Sequence, residues 1–167
     1  VVNASFRTDG SSNFGSDKQF NPNWAAGVAW NVSEENFMSS LKPVLNRLTL
    51  RAATGFTGNI NRTVSPQMVI SYYDNYRNVS NIGKVVSPPN PNLRWEKTQD
   101  IKVALDFGIL DERLTGIIEG YYRKSKDIVT DVQVLSTTGF TRQKYNTADI
   151  ANKGIEATLN GIPVKTK

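Results

Sequence analysis

From Ile101 to Tyr122 apolar and polar residues alternate through two long runs split by a short turn, and no other feature restricts the fold as much. Ile101, Val103, Leu105 and Phe107 share one parity, while Lys102, Ala104, Asp106 and Gly108 share the other. The return run sorts Leu114, Gly116, Ile118, Gly120 and Tyr122 against Thr115, Ile117, Glu119, Tyr121 and Arg123. A period of two belongs to a strand, whose successive side chains point to opposite faces, whereas a helix would scatter these residues around its axis. With only Leu110, Asp111 and Glu112 between them, the two runs are expected to pair locally and antiparallel. Both exceed the roughly five or six residues of an ordinary soluble strand, and about nine to eleven suffice to cross a bilayer at a steep tilt.

The rest of the chain repeats this pattern. Val2, Ala4 and Phe6 oppose Asn3, Ser5 and Arg7 in a strand over Val1 to Thr8. Trp24, Ala26, Val28, Trp30 and Val32 alternate with small or polar residues, with an aromatic near each end, as suits membrane interfaces. Leu48, Leu50, Ala52, Thr54 and Phe56 form a third strand, and Ile155, Ala157 and Leu159 a sixth. Ser33 followed by Glu34 and Glu35 predicts the N-cap of a short helix ended before Pro43. Met68 to Tyr73 reads as a strand extension inside a polar excursion from Ile60 to Pro89, and Val129 to Asn146 as a further hairpin.

Connections fall alternately at the two ends. Asp9 to Asn23, Gly58 to Pro89 and Val129 to Asn146 fall at one end, with Gly58 to Pro89 the longest of all, while Ser33 to Arg47 and Leu110 to Glu112, the shortest, fall at the other. In an antiparallel meander the long connections all emerge at one end, which is how outer-membrane barrels arrange short periplasmic turns and long external loops. The expected architecture is all-β: an up-and-down meander forming an open section of a large transmembrane barrel. No apolar run approaches the roughly 18 to 20 residues of a spanning helix. The first and last residues fall inside strands, so the chain is expected to be a piece of a longer barrel domain lacking its closure.

Histidine and cysteine are both absent, which removes Ser-His-Asp triads, thiol chemistry and the common zinc constellations from this segment. Neither an enzyme nor a cofactor or metal site is expected. Glu34-Glu35 and Asp111-Glu112 lie in polar turns and read as solvated charges rather than an acid pair. The net charge is +5, yet Lys and Arg are interspersed with Asp, Glu and Asn rather than gathered in a stripe, so no nucleic-acid partner is expected.

Several strings resemble one family. NPNLRWEKT from Asn90, LDFG from Leu105 and YYRKSKD from Tyr121 resemble the barrel of SusC/RagA-like TonB-dependent transporters, as do SFRTDGSSNFG from Ser5 and LTLRAATGFTGN from Leu48. Two departures stand out: Phe20-Asn21-Pro22-Asn23 replaces a Phe-Pro-Ser element, and Ala148 stands where the family has glycine. The resemblance implies an outer-membrane barrel of about 22 strands with a plug in its lumen. It further implies import of oligosaccharides or peptides, a SusD-like surface lipoprotein over the external loops, and a TonB complex acting through the plug region.

Candidate site residues follow from parity and placement. Arg7, Arg51, Lys102, Asp106, Glu119 and Glu156 share the polar parity and are expected to face the lumen, either compensating one another's charge or touching the plug. Tyr72, Tyr73 and Tyr76 lie in the external excursion, where exposed rings stack on sugars or apolar peptide groups; burial against a neighbouring loop is the structural alternative. Two other readings share part of the pattern: a soluble carbohydrate-binding β-sandwich, and a passive porin or autotransporter barrel.

Overall fold

The computed structural model describes residues 1–14, 18–73 and 82–163. Eight strands run in chain order: β1 Val2–Gly10, β2 Phe20–Asn31, β3 Leu45–Asn59, β4 Val69–Tyr73, β5 Ile82–Ser87, β6 Glu96–Ile109, β7 Leu114–Gln133 and β8 Arg142–Gly161. Six make one antiparallel sheet in the order β1-β2-β3-β6-β7-β8, and β4 and β5 form a separate hairpin within the excursion between β3 and β6. The meander expected from the alternation is therefore present, each strand beside its predecessor once that hairpin is set aside.

Register carries one face through the sheet. Phe6 lies across from Trp24 and Trp24 from Phe56; Trp30 meets Leu50, Leu50 meets Leu105, Leu105 meets Ile118 and Ile118 meets Ala157. A slip of one residue at any pairing would throw a whole strand's apolar set onto the polar side, so the consistency across five pairings is itself a specification of register. No second layer covers the apolar face among the described residues. Val2 is 80% exposed, Val103 55% and Val28 48%. A soluble sandwich would bury this face, and its strands would be shorter.

Buried hydrophobic residues gather at the ends of the sheet. Val32 and Met38 lie at the end that holds the β2-β3 connection and the β6-β7 turn, and Phe14, Val64, Leu93 and Trp95 form a cluster at the other, with Ala104 buried between them in mid-sheet. The expected helix after Ser33 is instead two 3-10 turns, Val32–Glu34 and Asn36–Met38, neither with a side-chain cap. Glu35 between them is extended, at φ −74 and ψ 148, which interrupts the helical run, and Ser33 is buried inside the first turn rather than capping it. At the same end, Leu110, Asp111 and Glu112 all have left-handed φ, 56, 55 and 60. Such a run is rare outside glycine, and the Asn46 side chain supports it by accepting the Asp111 N–H at 2.8 Å.

The chain between Val129 and Asn146 differs from expectation in one respect. It is no separate hairpin but the continuation of β7 and β8, paired from Val129 opposite Asn146 to Gln133 opposite Arg142. The register shifts around Ile128 and is then restored, with Asp127 at φ 59. These irregularities break the alternation in the sequence without ending the strands. Each of the two strands has 20 residues, about 65 Å at an ordinary strand rise, well beyond the roughly 30 Å hydrocarbon thickness even when tilted.

Candidate functional site: a paired polar face and a knot of loops

The face opposite the apolar stripe carries a lattice of ion pairs. Arg51 lies across from Ala104, and its guanidinium reaches diagonally to Asp106 at 2.7 Å. Lys102 lies across from Tyr121 and reaches Glu119 at 2.9 Å in the same diagonal sense. Arg123 faces Asp100 directly and bonds it at 2.5 Å. Ala104, between Arg51 and Glu119 in the same cross-strand row, is 5% exposed because these longer side chains close over it.

Of the six predicted polar residues, the structure joins Arg51 to Asp106 and Lys102 to Glu119. The other two behave differently. Arg7 pairs along its own strand with Asp9 at 3.2 Å, and Glu156 sits directly across from Glu119. Opposed like charges cost stability, and the Lys102 ammonium on Glu119 offsets that here.

At the end opposite the β6-β7 turn, the segment Asn90 to Glu96 ties the loops together. Leu93 and Trp95 are 1% and 4% exposed and pack with Phe14 from the first loop and Val64 from the second, the Phe14 and Trp95 ring centroids 5.3 Å apart. The Trp95 indole N–H donates to the Gln19 carbonyl at 3.3 Å. Asn90 donates to the Lys144 carbonyl at 2.7 Å. Glu96 accepts from the Asn59 side chain at 2.9 Å and from the Val129 N–H at 3.1 Å, bridging β3 to β7. Arg94 bonds Asp127 at 2.6 Å.

A second polar knot sits beside it on β2. Asn21 and Asn23 are 2% and 4% exposed, and Asn23 accepts the Gly58 N–H at 2.5 Å while donating to Asp9 at 2.8 Å. A Cβ at Gly58 would collide with the Asn21 side chain, so glycine there admits the knot. Pro22, part of the departure noted in the sequence, lies opposite Thr8 where β2 has not yet met β3, so its missing N–H breaks no central ladder.

Sequence reasoning did not assign these positions a role, although Asn90 to Glu96 lies within the string that carried the resemblance. The tyrosines are more dispersed. Tyr72 is 72% exposed in β4, opposite Gly83. The Tyr73 backbone pairs with Ile82, and Tyr76 lies outside the described residues.

The sheet's two-faced wall and one-ended loops can be set against known proteins. The family model described as TonB dependent receptor-like, beta-barrel, matches residues 1–162. This chain belongs to that family. TonB-dependent receptor SusC of Bacteroides thetaiotaomicron is 34% identical over 96% of the chain, and TonB-dependent receptor P26 of Formosa agariphila is 33% identical over 96%. The solved RagAB peptide importer in its closed-closed state superposes with a TM-score of 0.85 at 25% identity over 99% of the chain. The chain spans 17% of SusC, 16% of P26 and 18% of the RagAB chain. TonB-dependent receptor barrels are outer-membrane structures, and the sandwich and the passive barrel give way to this assignment. No helix among the described residues is long and apolar enough to cross a membrane.

Proposed function

We propose that this segment supplies wall and external loops to a SusC-like transporter that imports oligosaccharides or peptides across the outer membrane, driven by a TonB complex acting through a plug elsewhere in the protein. The observation that carries the reading is the sheet's division of solvents. Through the middle of the six strands one face is apolar and uncovered, and the other holds most of its charges in pairs, as a lipid-facing wall with a wet lumen requires. Arg7, Arg51, Lys102, Asp106, Glu119 and Glu156 then line the lumen.

The connections after β1, β3 and β7 lie at the end tied by Trp95 and Asn146. Only the one after β3 is longer than the β2-β3 connection at the opposite end, so the expected alternation of lengths does not hold. All three nonetheless stand together and form the external rim on which a SusD-like lipoprotein closes. A rim stiffened by buried asparagines and a small aromatic core presents a fixed surface to such a lid. Tyr72 contributes an exposed ring to that rim, with Tyr73 and Tyr76 alongside it in the chain, for stacking on the substrate.

The test uses the full-length protein in cells. Single cysteines at Ser12 and Thr138 label with an impermeant reagent, whereas one at Glu112 does not; the opposite result inverts the wall. Uptake of fluorescent oligosaccharides and peptides by cells with and without the protein then identifies the substrate class, and uptake that survives collapse of the TonB-energising gradient overturns the transport reading.

A further inference from the structure

Four lysines that are scattered in the sequence converge on the apolar face at its external end. Lys97 of β6 lies directly across from Lys126 of β7, Lys124 lies two residues down β7 opposite Gln99, and Lys153 of β8 lies opposite Tyr122. Lys97, Lys124 and Lys126 are thus neighbours across the β6-β7 pairing, and Lys153 is diagonal to Lys124, which faces Ala151. All four continue the parity of Ile101, Tyr122 and Ile155, so they belong to the lipid side.

Their place along the strands follows from the same register. The row containing Gln99 and Lys124 continues through Phe56 and Trp24 to Phe6, so the aromatic residues of β1 to β3 and the lysines of β6 to β8 lie toward the same end of the apolar face. Aromatic residues at the end of an apolar band mark the interface with the headgroups. Lysine stems lie along apolar surface while their ammonium groups reach that level.

These lysines differ from the cations on the other face. Arg51, Lys102 and Arg123 each hold a carboxylate, whereas none of Lys97, Lys124, Lys126 and Lys153 makes a salt bridge among the described residues. Two lysines directly opposed repel each other. The neighbouring acid, Asp127, is already bonded to Arg94 at 2.6 Å, and Asp149 on β8 is exposed without an ion pair to any of them. An excess of positive charge therefore remains at the headgroup level, facing outward.

We infer that this cluster binds the phosphates of an anionic lipid headgroup in the outer leaflet. Below Lys153 the apolar face has a notch between Ile101, Val103, Tyr122 and Ile155, opened by Gly120, beside which a side chain would meet nothing. An acyl chain beneath the bound headgroup lies along that notch. The proposal rests on the assignment of the connections after β1, β3 and β7 to the outside, which the cysteine labelling above tests separately.

The experiment uses full-length protein, delipidated in detergent and offered bis-phosphorylated lipid A or its dephosphorylated form, with retained lipid measured by native mass spectrometry. The parent protein is expected to retain the phosphorylated lipid preferentially. Replacing the four lysines by Gln weakens retention roughly 10- to 100-fold, and replacing them by Arg preserves it. The pair Lys97→Gln with Lys126→Gln gives an intermediate loss if the full set impairs assembly. Equal retention of both lipids by the parent, or undiminished retention by the Gln variants, overturns the proposal. So does loss of a co-purifying lipoprotein with lipid retention unchanged, which would make the cluster a protein contact.

Discussion

Asn146 grips the backbone of Arg94 from both sides, donating its side-chain N–H to the Arg94 carbonyl at 2.7 Å and accepting the Arg94 N–H at 3.0 Å. A third bond runs from the same Nδ2 to the Asp127 carbonyl at 2.6 Å. One side chain thus substitutes for a short strand edge, joining β8 to the segment before β6 and to the irregular stretch of β7.

Asn146→Ala leaves these part-buried backbone groups without partners and is expected to cost roughly 2 to 4 kcal/mol locally. The loss should appear as faster protease cleavage in the loops between β3 and β6, with the detergent-resistant barrel intact. Asn146→Asp restores the acceptor toward Arg94 but not the two donors, and should fall between. Cleavage of all three proteins at the same rate would show that the knot does not hold the loops.

The two faces should tolerate change very differently. Leu105 lies at the middle of the apolar row, between Leu50 and Ile118, and Leu105→Arg should disfavour membrane assembly by roughly 2 to 4 kcal/mol. Lys102→Ala, on the opposite face, should cost far less, although it leaves Glu119 opposed to Glu156 without its ammonium partner. Folding of full-length variants into vesicles, followed by urea titration, measures both.

Acid should act on the loop knot late. The hydrogen bond from Arg94 holds the Asp127 carboxyl below the ordinary carboxylate range; partial burial opposes this, and the charges of Arg94, Lys97 and Lys126 add to it. A carboxyl whose folded value is depressed contributes stability above its unfolded value and loses it as pH falls through the folded one. Loop protection should therefore hold from neutrality down to the ordinary carboxylate value of 3.8 and fail below it. Asp127→Asn should remove that acid-dependent component. Hydrogen exchange at Arg94 and Val129 across the pH range would reveal it.

Expressed alone, the 167-residue segment should not behave as a soluble domain. Its six-stranded sheet leaves β1 and β8 with unpaired edges, and Val2, Val28 and Val103 about half or more exposed. Edges and apolar faces of this kind associate in water. Analytical ultracentrifugation should find aggregates without detergent, and a monodisperse, cooperatively melting monomer would contradict the wall reading.

The middle of the sheet was legible in the sequence because one apolar and one polar face require a strict alternation, and Ile101 to Phe107 and Leu114 to Tyr122 obey it. Beyond Asp127 the apolar sorting of β7 and β8 relaxes, and the irregular register erases what remains; hence one long strand pair read as two hairpins. Parity placed Arg51 and Asp106 on one face, but their ion pair depends on the register of β3 against β6, which the intervening excursion hides. Asn146 and Arg94 lay inside or beside strings that carried the resemblance, yet a string match does not say which side chain holds which backbone. The lysine cluster was invisible for a related reason, since three strands each contribute only one or two of its members.

The ion-paired face has a consequence for what this part of the wall does to a passing solute. Arg51, Lys102 and Arg123 each hold a carboxylate, at 2.7, 2.9 and 2.5 Å, so their fields cancel as closely spaced dipoles do and fade rapidly away from the surface. Screening by salt, over about 8 to 10 Å under physiological conditions, removes most of what is left. On the lumen assignment, this stretch neither draws in anions nor repels cations. Apart from the carboxylate of Glu156, which faces Glu119 without a cation of its own among the described residues, it is an electrically quiet lining.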